Sequence, residues 1–167
     1  MIVIDVGCAR YGGDYSIERL IEWYRPDVLI GYDPAPKASE AMPSAAVLAQ
    51  FKTNVVIERK AAWVYDGEVR YMEDGLNSQV GDAEHWPLVR CVDLARVIEG
   101  LPEGPVILKL DAEGAEYDLL EYLIQTGAAA RLTRLLVEWH PTGQGERRRA
   151  IETGLRIADV PVEQWRY

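Results

Sequence analysis

The stretch VILKLDAEGAEYDLL, residues 106–120, decides the fold of this chain. It opens as a run of apolar residues typical of a buried parallel strand, and it passes into a helix near Glu113 and Gly114. Lys109 lies inside the apolar run, where an unpaired charge would cost several kcal/mol. Asp111 and Glu113 follow at the end of the strand, which is the edge where open α/β sheets bind ligands. We therefore expect this segment to form the floor of a functional site.

Size and composition are those of one globular domain, predicted to span residues 1–167. The net charge of −9 argues against a nucleic-acid partner, and the arginines at 147–149 are expected to lie on a solvated helix face. Cys8 and Cys91 are too few and too far apart to indicate a disulfide framework or a zinc site. The sequence begins with a short strand rather than a signal peptide, and no run approaches the ~20 apolar residues of a membrane span. A cytoplasmic protein with no membrane partner is predicted.

Strand and helix patterns alternate along the first third of the chain. Residues 1–6 form an apolar run, and residues 27–33 form another that ends before two prolines. Between them, residues 15–24 place their apolar side chains at i, i+3, i+4 and i+7, which predicts an amphipathic helix. The three elements predict a right-handed βαβ unit.

Weaker patterns predict the remaining elements. A third strand is predicted to begin at residues 54–57 and to continue in alternation to a hairpin turn at Asp66 and Gly67. Residues 73–87 are predicted to form a loop that acts as a binding lid. The other predicted elements are helices at 44–51, at 93–99 with Asp93 as its cap, at 115–125 ending at Gly127 and at 146–152 on the surface, and strands at 90–92, at 135–139 and in the tail.

The first strand leads into a glycine-containing turn with Gly7, Gly12 and Gly13, followed by a helix. This is the βα geometry that binds nucleotides, because glycine lets the backbone approach a ligand at the N-terminus of the helix. The dinucleotide pattern G-x-G-x-x-G is broken by Ala9. Asp5 also disfavours a diphosphate, because a carboxylate facing the turn would repel phosphate and bind an ammonium group.

Asp33 ends the second strand, near the position where an acidic residue binds ribose hydroxyls in nucleotide-binding domains. One carboxylate suited to an amine and one suited to a ribose indicate S-adenosyl-L-methionine rather than NAD. The cofactor-binding residues indicated by these patterns are Asp5, Gly7, Cys8, Ala9, Gly12, Gly13 and Asp33.

The chain resembles the FkbM-like branch of the S-adenosylmethionine-dependent methyltransferases. The resemblance rests on VIDVG in the first strand, GYDPAP after the second, KAAW, KLDAEGAEYDLL and VEWH, which occur in the family's order. It implies a Rossmann-like class I methyltransferase fold: a doubly wound, mostly parallel sheet of seven strands with the last antiparallel. It also implies methyl transfer, usually to an oxygen. Relative to the family the chain lacks N-terminal cover helices, so we expect its substrate side to be open or completed by a second subunit.

The resemblance also assigns residues to the reaction. It adds Pro34, Ala61, Ala62 and Asp111 to the cofactor-binding set, with Ala61 or Ala62 beside the adenine. It places Lys109, Asp111, Glu113 and Glu138 in the reaction cleft. The spacing of the polar residues on two neighbouring strands predicts an ion pair between Lys109 and Glu138, with Asp111 and His140 one step further out. His140 is predicted as the general base because its ordinary pKa lies near neutrality. The alternatives are Asp111 and Glu113, which could instead bind a divalent ion together; no metal site is assigned.

The acceptor is predicted to be a hydroxyl on a small or sugar-like molecule. The loop residues Asn77, Ser78 and Gln79, with Tyr11 and Trp86, are candidates to grip it, whereas His85 is expected to be exposed. Two other functions stay open at this point. One is a nicotinamide-dependent oxidoreductase, disfavoured by Ala9, and the other is a cofactor-binding module without catalytic activity that acts with a partner.

Overall fold

The computed structural model describes residues 1–9, 16–75, 78–140 and 143–166, which form two β-sheets flanked by helices. The strands of the main sheet are β1 (Ile2–Val6), β2 (Val28–Tyr32), β3 (Asn54–Glu58), β8 (Val106–Leu110), β9 (Arg134–Val137) and β10 (Val162–Gln164). Their order is β10-β9-β8-β1-β2-β3, and all pairings are parallel. The predicted α/β class with a mostly parallel sheet is confirmed, and the topology is compatible with a Rossmann-like fold.

Helices cover both faces of the main sheet, as the doubly wound prediction requires. One face packs against α1 (Ser16–Tyr24) and α2 (Ala45–Phe51), and the other against α3 (Leu94–Glu99), α4 (Glu116–Thr126) and α5 (Gly145–Ile157). Alternation along β1 divides the core accordingly, because Val3 belongs to the first layer and Ile4 to the second.

The predicted helix ends are confirmed where the sequence carries a capping signal. The Asp93 carboxylate accepts the backbone N–H of Arg96 at the start of α3, and Gly127 ends α4 in the left-handed region at φ 82°. The last helix is longer than predicted and is not wholly exposed, because Ile151 and Leu155 are buried in the core. Among the helices in the described ranges, none is both long and apolar enough to cross a bilayer.

The main sheet departs from the strand count that the family resemblance implied. Seven strands with the last antiparallel were expected, but the described residues form six, and β10 runs parallel to β9. The physical reason is the connection: α5 carries the chain back across the sheet, and a strand reached by such a crossover pairs in parallel. An antiparallel neighbour would need a hairpin after β10.

A smaller sheet forms from the middle of the chain, and it corrects two predictions. Its strands are β4 (Ala61–Trp63), β5 (Gly67–Met72), β6 (Gln79–Gly81) and β7 (Leu88–Asp93), in the order β4-β7-β5-β6. The hairpin predicted at Asp66 and Gly67 is wrong, because β7 lies between the two strands it would join. Asp66 accepts the backbone N–H of Asp93 and pairs with Arg96, which ties the turn to the end of β7. The segment predicted to be a loop also contains β6.

The turn after β1 holds the carboxyl ends of the central strands together. Gly7 has a φ of +77°, and a Cβ on it would lie 1.8 Å from the backbone carbonyl oxygen of Asp111. The Gly7 N–H donates to the Tyr32 carbonyl at 3.0 Å, and the Asp111 N–H donates to the Val6 carbonyl at 3.2 Å. Only glycine fits here, because both the dihedral angle and the close approach exclude a side chain.

Replacing Gly7 by alanine is therefore expected to destabilise the fold more than the same change at Gly127. Gly127 has a φ of +82° but open space around its Cβ position, so Gly127→Ala should cost only the left-handed strain of about 1–2 kcal/mol. Gly7→Ala adds a clash with backbone, which should cost at least about 2 kcal/mol more. Urea unfolding of both variants measures the difference, and equal losses would contradict this account of the turn.

Candidate functional site

Lys109 lies completely buried at the carboxyl end of β8, where its ammonium group is surrounded by oxygen atoms. Nζ lies 3.0 Å from Asp5 Oδ1 and 3.4 Å from Asp111 Oδ2. It donates to the carbonyl of Gly7 at 2.8 Å and approaches the carbonyl of Val6 at 3.4 Å. Asp5 stands directly opposite Lys109 in the register of β1 and β8. These contacts compensate the desolvation of the charges and bind the first turn to the central strand.

The predicted ion pair between Lys109 and Glu138 is wrong. In the register of β8 and β9, Lys109 stands opposite Leu136, and Glu138 follows two residues later. The ion pairs that Lys109 makes with described residues join it to Asp5 and Asp111. The central strand β8 has a neighbour on each side, and the spacing of the polar residues did not show that Lys109 pairs with β1 rather than β9.

Asp5 does not reach the cleft, so its predicted contact with a ligand ammonium is also corrected. Its carboxylate is fully buried, with Oδ1 facing Lys109 and Oδ2 accepting the Ser16 hydroxyl at 2.7 Å. The alternation of β1 turns this side chain toward the face covered by α1. Asp5 instead neutralises the protein's own ammonium group and anchors the start of that helix.

A cleft opens at the carboxyl edge of the main sheet, where the second sheet folds over the ends of β1, β2 and β8. It contains about 700 Å³ of empty space, part of which is open to solvent. It is lined by most of the predicted cofactor residues, namely Gly7, Ala9, Asp33, Pro34, Ala61, Ala62 and Asp111. Two predicted catalytic residues, Asp111 and Glu113, also line it. Sequence reasoning missed Tyr71 and Val80, which reach the cleft only because the second sheet covers it.

Asp33 is fixed in the cleft wall by the backbone of two turns. Oδ2 accepts the N–H of Ala9 at 3.0 Å, and Oδ1 accepts the N–H of Ala35 at 2.8 Å. Burial raises the pKa of the Asp33 carboxyl, and the two N–H donors offset part of that rise. Each oxygen accepts one of these bonds and retains capacity for a second, so the carboxylate is suited to accept hydroxyl groups of a ligand.

Three further residues were predicted to bind the cofactor: Cys8, Gly12 and Gly13. Cys8 is buried outside the cleft lining, and its Sγ packs where a Cβ on Gly31 would come within 2.8 Å. Burial raises the pKa of the Cys8 thiol well above its ordinary range, so it behaves as a small apolar residue. Gly12 and Gly13 lie outside the described residues, as does Tyr11.

Three acidic side chains surround His140 at the edge of the cleft. Its Nε2 lies 3.3 Å from Glu113 Oε1 and 3.7 Å from Asp111 Oδ1, so Asp111 and His140 both lie at the carboxyl edge, as predicted. Its Nδ1 lies 3.2 Å from Oε1 of Glu116, a completely buried carboxylate. Glu116 also accepts the N–H groups of His140 at 2.9 Å and Gly114 at 2.8 Å.

Glu116 is the functional residue that sequence reasoning missed. It is the last acid of the string KLDAEGAE, and it starts α4. Nothing in the sequence indicated that this glutamate is buried, because acidic residues are common at the start of helices and are usually exposed there. Glu113 precedes it in the left-handed region at φ 50°, a strained conformation for a non-glycine residue.

The charges around His140 argue against its predicted role as general base. The nearby carboxylates of Glu113 and Glu116 raise the pKa of His140 to about 10, although partial burial opposes the rise. The ring is therefore an imidazolium at neutral pH and has no free nitrogen to accept a proton. Burial raises the pKa of Asp111, although Lys109 and His140 oppose the rise, and its carboxylate is a candidate proton acceptor in the cleft.

Asp111, Glu113 and His140 are also grouped as metal ligands are. One ligand atom from each lies within 4.8 Å of the others. Glu138 is not a lining residue of the cleft, contrary to the implied assignment. Its Oε2 is buried without a hydrogen-bond partner among the described residues, and burial together with the charge of Asp111 raises its pKa. The open alternative of a divalent ion thus gains an imidazole donor.

The residues predicted to grip an acceptor are only partly in the cleft. Ser78 lines it, and Gln79 begins β6. Trp86 packs over Gly81 instead, where a Cβ would come within 2.6 Å of the indole ring, so its proposed stacking on an acceptor is not supported. His85 is exposed, as expected. Asn77 lies outside the described residues.

No family model matches the sequence, and neither a curated protein nor a solved structure matches it. The assignment of a function therefore depends on the geometry and charge of the cleft.

Replacing Lys109 by methionine is expected to destabilise the protein by about 3–5 kcal/mol, because it leaves the Asp5 carboxylate buried without its cation. The exposed pair of Lys60 and Glu58, at 2.9 Å, supplies the control. Lys60→Met should cost less than about 1 kcal/mol.

The double variant Asp5→Asn, Lys109→Met should recover much of the loss, since it removes the uncompensated charge. Urea unfolding of the wild type, both single variants and the double variant measures the coupling. If Lys109→Met loses no more stability than Lys60→Met, or if the two single changes are strictly additive, the ion pair of Lys109 and Asp5 does not stabilise this part of the site.

His140 is expected to stay protonated through neutral pH. After dialysis against a chelator, its ring proton signal in NMR should not move between about pH 6 and about pH 8, where an ordinary histidine titrates. Because the folded pKa of about 10 lies above the unfolded value, protonation stabilises the fold fully below about pH 6.5. That contribution is lost as the pH rises toward 10, and it should be missing in His140→Gln. A ring titrating near its ordinary pKa would contradict this.

Proposed function

We propose that this protein is an S-adenosylmethionine-dependent methyltransferase that methylates a hydroxyl group on a small or sugar-like acceptor. The observation that carries the proposal is the charge of the cleft. Among its described lining residues, Asp33, Asp111 and Glu113 are acidic and none is basic. A ligand with a sulfonium and an ammonium group suits such a wall, whereas a diphosphate would be repelled.

The shape of the cleft supports the same ligand. Gly7 lines the cleft, and only glycine fits there, because any side chain would collide with the end of β8. Asp33 offers carboxylate oxygens to the hydroxyl groups of a ribose. Ala61 and Ala62 form a small apolar wall that leaves room for a flat purine ring. These are the features by which Rossmann-like sites bind a nucleoside.

The charged cluster at the cleft edge supports an acceptor that must lose a proton. When bound, S-adenosylmethionine supplies a methyl group to which the acceptor oxygen forms a C–O bond as the S–C bond breaks with its electron pair on sulfur. Asp111 lines the cleft with a raised pKa and takes the hydroxyl proton in this proposal. Lys109 and the His140 imidazolium hold that carboxylate in place from two sides.

Calorimetric titration should show binding of S-adenosylhomocysteine and no binding of NADH. Asp33→Asn should weaken S-adenosylhomocysteine by about 10-fold to 100-fold, which corresponds to the loss of a charged hydrogen-bond acceptor. Glu103→Gln is the matched control: it removes one carboxylate whose side chain is 99% exposed, in the loop before the amino end of β8, and should bind as the wild type does. Binding of NADH alone, or equal affinity in Asp33→Asn, would contradict the cofactor assignment.

The catalytic part of the proposal needs a second measurement on the same proteins. With methyl-labelled S-adenosylmethionine and a mixture of small hydroxyl compounds, the wild type should release S-adenosylhomocysteine. Asp111→Asn should retain most S-adenosylhomocysteine affinity and lose at least about 100-fold in transfer rate, as expected for removal of a general base. Binding without any transfer by the wild type would favour the non-catalytic module instead.

A further inference from the structure

The cluster at the cleft edge combines donors of two kinds, and it is not simply a group of acids. Asp111 and Glu113 contribute carboxylate oxygens, and His140 contributes Nε2, with the three ligand atoms within 4.8 Å of one another. Two ligands of one ion, each at about 2.1 Å, can be no more than about 4.2 Å apart. The three side chains need to close by only about half an ångström to share an ion.

We propose that Asp111, Glu113 and His140 bind a divalent transition-metal ion, with Mn²⁺ as the representative, at the edge of the cleft. The inference rests on the proposed function in one respect only: an acceptor hydroxyl that contacts the ion would be more acidic, and its proton would pass to a carboxylate of the cluster. The site itself is argued from the protein's own side chains, and a bound ion takes the place of the proton on His140 Nε2.

Glu116 supports this site from its buried side by contacting His140 and the backbone next to Glu113. Its carboxylate is completely buried and contacts Nδ1 of His140 at 3.2 Å, which leaves Nε2 facing Glu113 and Asp111. It also accepts the N–H of Gly114, the residue directly after Glu113. A carboxylate on the second ring nitrogen is the usual support of a metal-binding histidine, because it fixes the tautomer and the orientation of the ring.

Glu138 supplies an independent observation that points to a cation. Its Oε2 is buried and has no hydrogen-bond partner among the described residues. Leaving a buried acceptor unsatisfied is unfavourable, and Glu138 is two residues before His140 on the segment that follows β9. A dication held by Asp111, Glu113 and His140 would compensate the Glu138 charge as well.

The donor set favours one class of ion. Carboxylate oxygens alone would suit Mg²⁺ or Ca²⁺, whereas an imidazole nitrogen favours first-row transition metals. Two carboxylates with one imidazole therefore indicate Mn²⁺ or a neighbouring first-row ion. Mn²⁺ is also the practical probe, because free and bound ions differ in their electron paramagnetic resonance signal.

The test is a titration of the full, chelator-dialysed chain with Mn²⁺, followed by electron paramagnetic resonance. The wild type should bind one ion. Glu113→Gln and Glu116→Gln should each weaken binding about 10-fold to 100-fold, the first by loss of a ligand and the second by loss of the support for His140. Glu103→Gln, which removes an exposed charge before the amino end of β8, should bind as the wild type does.

Glu113→Gln keeps the proposal testable if Glu116→Gln does not fold, because the Glu113 side chain is 30% exposed. No Mn²⁺ binding by the wild type, unchanged affinity in Glu113→Gln, or an equal loss in Glu103→Gln would overturn the site. Titration of the same metal-free protein with S-adenosylhomocysteine separates the two proposals. If the nucleoside binds and Mn²⁺ does not, only the metal site fails, whereas the reverse result removes the proposed cofactor and retains the metal site.

Discussion

The buried ammonium of Lys109 is the interaction on which the rest of this structure depends. It lies within 3.4 Å of two carboxylates and two backbone carbonyls, so three segments converge on one charge: the end of β1, the turn at Gly7 and the end of β8. A buried charge is tolerated only when its partners are fixed, because an alternative packing would leave it unpaired. The position of the first turn and of Asp111 is therefore set by one electrostatic requirement.

The same arrangement determines the chemistry of the cleft. Lys109 and the His140 imidazolium lie outside the cleft lining, while Asp33, Asp111 and Glu113 line it. The cations stabilise the carboxylates without neutralising the surface that a ligand meets. The cations thereby offset part of the effect of burial, which raises the pKa of Asp33 and Asp111. An acidic wall of this kind favours a cationic ligand, which is the basis of the proposed cofactor.

Local patterns predicted the parts of the fold that depend on local interactions. The periodicity of α1, the cap at Asp93 and the glycine at the end of α4 follow from neighbouring residues, and the residues at strand ends were correctly brought to one edge. The partner of Lys109 was not predictable in this way, because it depends on which of two neighbouring strands stands in register. The hairpin at Asp66 failed for a similar reason, since β7 arrives from about 20 residues further along the chain and displaces the local pairing.

His140 shows why residue type alone is a poor guide to a catalytic role. An isolated histidine exchanges its proton near neutrality, but this one lies among carboxylates contributed by the turn after β8 and by the start of α4. Glu116 contacts His140 although the two residues are 24 positions apart in the sequence. The residues around VEWH therefore do not indicate that acids lie next to His140. The negative charge of Glu113 and Glu116 raises the pKa of His140, and the same negative charge makes this edge of the sheet attractive to cations. In the proposed reaction, proton acceptance would fall to a carboxylate, and the imidazole would hold the acids of the cluster in place.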